Sequence, residues 1–197
     1  ITQNRPQHPT GETSAELDAL APEIHHGVDV TNAAAVYRAA AEMGDASIDV
    51  LINNAGIMIE DDIDRIDIAA VRLQFEVNAL APLNIALAFR RRLRAGSKLI
   101  NISSRLGSIG DNDSGDDYGY RMSKAAQNML TSNLATELGK EGIIVAALHP
   151  GIVATGMTAG KGTSADQAAG NLKSVIDGLT VEKSGGFYSW SGDTLPW

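Results

Sequence analysis

Apolar and polar positions alternate along this chain in two rhythms. Residues 48–53 (IDVLIN), 98–103 (KLINIS) and 143–148 (IIVAAL) are short, nearly continuous apolar runs and read as strands. Residues 24–29 (IHHGVD) read as a further short strand, followed by Thr31 as the N-cap of a helix through NAAAVYRAAAEMG that stops at Gly44. A long helix is predicted over 67–94, ending at Gly96. A Gly-, Asp- and Ser-rich loop at 105–117 then leads into a helix that runs to about Gly139. Ser164 and Gln167 make a capping-box pair that opens a helix across 165–178, and 186–190 (GFYSW) is a last short strand. Continuous apolar strands separated by helices predict an α/β fold of three layers, a doubly wound parallel sheet covered on both faces. Such sheets bind ligands beyond the carboxyl ends of their strands, at a switch in strand order. Here those ends carry NNAG after IDVLI, SS after KLINI and HPG after IIVAAL.

Composition narrows the field. A chain of 197 residues, 44% hydrophobic and 20% charged, buries a core as one domain spanning 1–197. Lys and Arg number 16 against 24 Asp and Glu, a formal charge of −8, which argues against nucleic acid as a partner. The absence of cysteine removes disulfides, thiolate metal sites and thiol nucleophiles. No apolar run reaches the roughly 18 residues a bilayer span requires, and the first residues lack the pattern of a signal peptide, so a soluble, cytoplasmic protein with no membrane partner is expected. His25, His26 and His149 stand apart from carboxylates and read as structural, with no metal site expected. Arg90, Arg91, Arg92 and Arg94 fall in the last turn of the long helix, where cations complement the helix dipole.

Tyr120 and Lys124 stand four residues apart at the start of a helix and so share a face. An ammonium one turn from a phenol stabilises the phenolate, drawing a pKa near 10 downward and making the pair an acid/base device. Taken alone, the spacing also arises by chance. Ser103 and Ser104 end a parallel strand, where a hydroxyl can donate to a substrate oxygen or merely cap a loop. Asn78 precedes Pro82 by four residues; proline has no N–H to give the Asn78 carbonyl, so the helix should kink there and leave that carbonyl free. Asn53-Asn54-Ala55-Gly56 and Pro150-Gly151 are tight turns after strands, through which a planar ligand can approach the backbone.

In order along the chain, Asp29-Val30, NNAG, Asn78, SS, Tyr120-x-x-x-Lys124 and Pro150-Gly151 resemble the short-chain dehydrogenase/reductase family of the compact type, over nearly the whole chain. The stretch SSRLGSIGDNDSGDDYGYRMSKAAQNML and the ending SGGFYSWSGDTLPW are most similar to its C-factor and Sniffer-like carbonyl reductase branch. The resemblance implies a Rossmann-like fold and an NAD(P)-dependent oxidoreductase, NADP(H) being favoured by the branch over NAD(H). Its substrate would be a small organic carbonyl or secondary alcohol. Tyr120 would be the acid/base, Lys124 would lower its pKa and hold the nicotinamide ribose, and Ser104, which matches the phrase Ser-x-x-Gly, would polarise the substrate oxygen. Asn78 would hold a proton-relay water through its carbonyl. Asp29 and Val30 would contact the adenine, and Asn53, Ala55 and Gly56 the adenosine side and ribose. Pro150, Gly151, Val153 and Thr155 would line the nicotinamide, and 156–178 would cover the substrate. Subunits would pair into a homodimer or homotetramer through the helices at 67–94 and 117–139.

One part of the family pattern is missing. The glycine-rich turn Thr-Gly-x-x-x-Gly-x-Gly, which binds the pyrophosphate, does not occur: Thr10-Gly11 is followed by Glu12, Thr13 and Ser14, with no glycine before Gly27. The expectation is therefore a chain without the family's first strand-helix(-strand) unit, either a fragment of a longer product or a natural truncation with impaired cofactor binding and an exposed sheet edge. Arg5 is read as an exposed residue or the trace of a site for the NADP 2′-phosphate. A non-catalytic signalling or interaction protein on the same scaffold is the alternative to an enzyme.

Overall fold

In the computed structural model, which describes residues 2–3 and 25–197, the chain order is β1 (Thr2–Gln3), β2 (His25–His26), α1 (Ala33–Glu42), β3 (Ile48–Asn53), α2 (Ile68–Phe75), α3 (Ala81–Phe89), β4 (Leu93–Ile102), α4 (Tyr118–Leu138), β5 (Ile144–His149), α5 (Ala165–Asp177) and β6 (Phe187–Ser189). Strands β3-β4-β5-β6 form one sheet in that order, every pair parallel, while β1 and β2 make a separate parallel pair. Among the described residues the four-stranded sheet shows no reversal of strand order. Arg5 and Ile24, and the stretch around Thr10-Gly11, lie outside the described residues.

Side-chain alternation assigns the layers. Leu99 of β4 and Val145 of β5 are fully buried against Ala86 of α3 and Leu138 of α4. One residue along each strand, Ile100, Ala146 and Leu148 turn the other way and pack with Ile176 of α5 and with Leu179. Burying side chains of this size contributes about 1.5–3 kcal/mol each, so both faces of β4 and β5 are principal sources of stability. A third cluster joins α1 (Ala35, Val36, Ala39 and Ala40) to Phe89 of α3, with Ile48 and Leu51 of β3 packed against it. Ile48 shares a face with Leu51 because the register with β4 shifts between Ile48 and Val50.

Several boundaries differ from expectation for identifiable reasons. The strand at 24–29 shortens to His25–His26. Asn32, not Thr31, caps α1, accepting from the Ala35 N–H at 3.1 Å. Thr31 is engaged elsewhere, its N–H and hydroxyl both donating to the Asp29 carboxylate at 2.9 and 2.7 Å. The long helix starts as predicted, with Asp67 as its N-cap, but does not run through to Arg94. It widens into a π-turn at Glu76–Leu80, restarts as α3 with Pro82 in its first turn, and closes in a 3₁₀ turn at Arg90–Arg92. Arg94 already belongs to β4. The arginines find separate partners: Arg90 pairs with Glu141, and Arg92 donates to the Ala40 carbonyl at 3.0 Å. The predicted cap of α5 is present, Ser164 Oγ accepting from the Gln167 N–H at 3.3 Å. No helix among the described residues is long and apolar enough to cross a membrane.

Candidate active site

The site grows from the buried face of α4, which is polar. Tyr120, Ser123, Lys124, Gln127, Asn128 and Thr131 repeat at helical spacing and are all buried, with apolar packing resuming at Leu134, Ala135 and Leu138. The start of this helix is set from a distance. Asp116 and Asp117 both take left-handed backbone angles, φ 53° and 44°, and Asp117 gives no side-chain cap. Asp61, from the turn after β3, supplies the cap instead: its carboxylate accepts from the Tyr118 N–H and, at 3.1 Å, from the Gly119 N–H, where a negative charge also complements the helix dipole. Gly119 itself lies so close to Val71 and Gln74 of α2 that any side chain would collide with them. The loop at 105–117 is tied down by Arg105 on Asp111 (2.7 Å), Arg121 on Ser114 (2.8 Å) and the Gly110 N–H on the Trp197 carbonyl (2.9 Å). At Gly107 the loop touches the Lys124 backbone, where a Cβ would sit 2.7 Å from it.

These constraints bring Tyr120, Ser104, Lys124 and Asn78 together. Ser104 Oγ accepts from the Leu106 N–H at 3.2 Å, and its hydroxyl meets the Tyr120 phenol. Tyr120 is 7% exposed, and burial raises its phenol above the ordinary value. A hydrogen bond with Ser104 acts against that rise, while the charge of Asp117 adds to it. This differs from the expectation that Lys124 draws the phenol down. The ammonium lies 5.8 Å from the Tyr120 ring centroid and donates instead to the Ile102 carbonyl (2.8 Å) and to Gln127 Oε1 (3.0 Å). Burial without a counter-ion brings Lys124 down to about 7. The Asn78 side chain is committed to structure: Oδ1 accepts from the Ile57 N–H (2.9 Å), and Nδ2 donates to the Ile57 carbonyl (2.8 Å) and to Ser123 Oγ (3.0 Å). Its backbone lies in the π-turn, where Ala81 N–H reaches back to the Glu76 carbonyl and Pro82 has no N–H to offer Asn78.

A second chain of bonds runs beneath. Asn53 Nδ2 donates to Asn101 Oδ1 (2.7 Å), Asn101 Nδ2 to Thr131 Oγ1 (2.9 Å), and Ser103 Oγ to Asn128 Oδ1 (2.6 Å). The side chain of Asn53, expected on the cofactor, is therefore turned into the protein, where its Oδ1 is buried without a partner. Ser103, the neighbour of the catalytic candidate, serves as a structural tie. Sequence reasoning missed Asp61, Gln127, Asn128 and Thr131. The last three stand at helical spacing from Tyr120 and Lys124, a polar stripe open to discovery; Asp61 carried no local signal.

The remaining cofactor candidates lie at the carboxyl ends of the strands. Ala55 is exposed, and Gly56 leaves space beside the ammonium: a Cβ there would sit 3.6 Å from Lys124 Nζ and 3.4 Å from Asn78 Oδ1. That small cradle, open to a cationic donor, fits a ribose hydroxyl. Asp29 is half-buried and holds Thr31, and Val30 is buried. After β5, Pro150 leads into Gly151, whose φ of 76° and contact with Trp190 exclude a side chain. Val153 bridges to Thr163, and Thr155 is exposed, its N–H donating to Thr158 Oγ1 at 3.1 Å. Of the predicted cover at 156–178, the later part is α5, whose Ala168 and Ile176 are buried; Ile176 packs on the sheet. His149 is half-buried, and burial, with Arg105 adding, lowers it to about 4.

The fold is a parallel α/β sheet with this constellation at the carboxyl ends of its strands, and comparison with known proteins identifies the lineage. The short chain dehydrogenase family model matches residues 3–166, and the chain belongs to that family. It is 40% identical over 190 residues to a 1-hydroxy-2-glutathionyl-2-methyl-3-butene dehydrogenase of Rhodococcus sp. (strain AD45), covering 93% of this chain and 84% of that one. It is 41% identical over 158 residues to C-signal of Myxococcus xanthus, covering 76% of this chain and 93% of the relative. The NADPH-bound carbonyl reductase from chicken fatty liver superposes with a TM-score of 0.84 at 33% identity, covering 92% of this chain and 82% of that structure. The resemblance drawn from the motifs, to the family and to its C-factor and carbonyl reductase branch, agrees with these matches.

Proposed function

We propose that the protein reduces a carbonyl of a small organic substrate, or oxidises the matching secondary alcohol, with a nicotinamide cofactor, NADP(H) in preference to NAD(H). The observation that carries this reading is a buried Tyr120 phenol with Ser104 beside it and Lys124 behind it, the Lys124 ammonium lying next to Gly56. When bound, the nicotinamide supplies the hydride that adds to the carbonyl carbon. Ser104 donates to the carbonyl oxygen and polarises it. Tyr120, kept protonated by burial, gives its proton to that oxygen as the alcohol forms, and in the reverse direction takes it back. Lys124 holds the ribose from Gly56 and supplies positive charge behind the phenol, and the Asn78 carbonyl, which Pro82 cannot serve, is the acceptor at the head of a proton path. Asp29, Val30, Ala55, Pro150, Gly151, Val153 and Thr155 frame the cofactor, with Asn53 acting through its backbone. The NADPH-bound carbonyl reductase supports the preference for NADP(H). Exposed apolar residues on α2 and α4, Leu73, Met122 and Met129, support pairing of subunits through these helices.

A second reading, a signalling or interaction protein on this scaffold, is favoured by the C-signal relative. Fluorescence titration with NADPH, with NADH alongside, followed by turnover on a panel of ketones and aldehydes, separates the two. Micromolar binding with turnover is expected. A folded chain that binds neither nucleotide would sink the enzyme reading for this chain and leave the second.

A further inference from the structure

Gln127 enters none of the roles assigned so far, yet it is fully buried and aimed at the one buried cation of the site. Its Oε1 accepts from Lys124 Nζ at 3.0 Å, while its Nε2 is buried with no hydrogen-bond partner. Because an ammonium only donates, the amide must present its oxygen to Lys124, and its NH₂ is left facing the interior unpaired. A leucine would fill the same volume without that desolvated N–H. What the amide adds is its oxygen. Its place is set by the network beneath: the Gln127 carbonyl accepts from Thr131 Oγ1 (2.9 Å), and Thr131 is held in turn by Asn101 and Asn53.

The groups facing Lys124 from other elements are uncharged. They are the Ile102 carbonyl at the end of β4, the backbone at Gly107, the Gly56 turn and the Asn78 amide; on α4 itself the titratable neighbour is Tyr120. Among the described residues no carboxylate contributes to the Lys124 proton equilibrium. Two neutral oxygens, one from the backbone and one from Gln127, accept from the ammonium, and the Tyr120 ring lies 5.8 Å away.

We infer that Gln127 is a positioning residue that fixes Lys124 Nζ toward the Gly56 cradle and sets how readily it holds its proton. The role rests on the reading of Lys124 as part of the reacting group. It makes the charge of Lys124 adjustable through a single side chain, one turn along α4 and out of reach of substrate.

The test is urea unfolding of the full chain from pH 6 to 10, for the wild type, Gln127→Glu and Gln127→Leu, each with Lys124 present and with Lys124→Met. The folded chain sheds the Lys124 proton near pH 7, whereas an unfolded lysine keeps its proton to about 10.4, so stability rises with pH between those values. Gln127→Glu, a near-isosteric change that adds an opposite charge, is expected to move the onset of that rise upward by about one pH unit or more. Gln127→Leu is expected to move it downward by about one unit, for loss of a hydrogen bond to the charged form. In Lys124→Met both shifts should vanish. Identical onsets in all chains carrying Lys124, or shifts that persist without it, would overturn the assignment. In turnover, the same substitutions should displace the pH profile of kcat/KM in the same directions rather than lower kcat evenly. Unfolding needs neither cofactor nor turnover, so a chain with intact coupling but no activity removes the enzyme reading and leaves Gln127 its role. Absent coupling removes Gln127 and leaves Tyr120 untouched.

Discussion

The face of the sheet that carries Leu51, Leu99 and Val145 is roofed by α1, α3 and α4, and toward the carboxyl ends it carries Asn53 and Asn101, both buried. On the opposite face α5 covers β4 and β5, but Val50 and Ile52 of β3 stand 41% and 46% exposed. Buried amides gather on the roofed face, where Asn53, Asn101, Thr131 and Gln127 bond to neighbours, although Asn53 Oδ1 and Gln127 Nε2 are left without one. Water excluded from that face is also what moves Tyr120 up and Lys124 down. The same burial that holds the fold together sets the chemistry of its site, which the open edge could not do.

That contrast can be broken at several points. Tyr120→Phe keeps the ring in its buried slot and removes the proton donor; turnover is expected to fall by about 10²–10⁴-fold with little change in the unfolding midpoint. Near-full activity in that variant would refute the assignment of the acid. Leu99→Ala, on the roofed face, should cost about 2–5 kcal/mol in urea unfolding, whereas Ile52→Ala on the open face should cost markedly less. Equal losses would show that β3 is covered as well as β4.

Smaller effects sharpen the picture around α4. Asp61→Ala removes the carboxylate that caps Tyr118 and Gly119 and should cost about 1–2 kcal/mol. If Asp61 also places Tyr120, kcat should fall while cofactor affinity stays near its original value. The smallest effect is expected from Asp117→Asn. The Asp117 charge raises the Tyr120 phenol, so neutralising it lowers that pKa, and the pH limb for alcohol oxidation should move to lower pH. A limb unmoved in rate profiles measured from pH 6 to 10 would mean that the field of Asp117 does not reach the phenol.

Much of this arrangement was legible along the chain. The apolar run at 143–148 became β5, because a run buried on both faces has no other stable place in a domain of this size, and the run at 48–53 became β3 with one face open. Tyr120 and Lys124 shared a face because helical spacing requires it, and Pro82 disturbed the helix near Asn78 because it carries no N–H. The division of 67–94 into two helices and the start of a strand was not legible. Backbone pairing of Leu93 with Ile48, across more than forty residues, outweighed the helical propensity of the arginines.

What the sequence alone determined is therefore what neighbouring residues impose on one another: strand type, helix face, cap and turn. What only the tertiary structure decided depends on groups brought together from far apart. Asp61 caps a helix that begins 57 residues later, Asn53 turns inward to meet Asn101, and burial brings Lys124 down to about 7. Hydrogen-bond partners and local dielectric are properties of the packed chain, and a proton's affinity for a side chain follows from both.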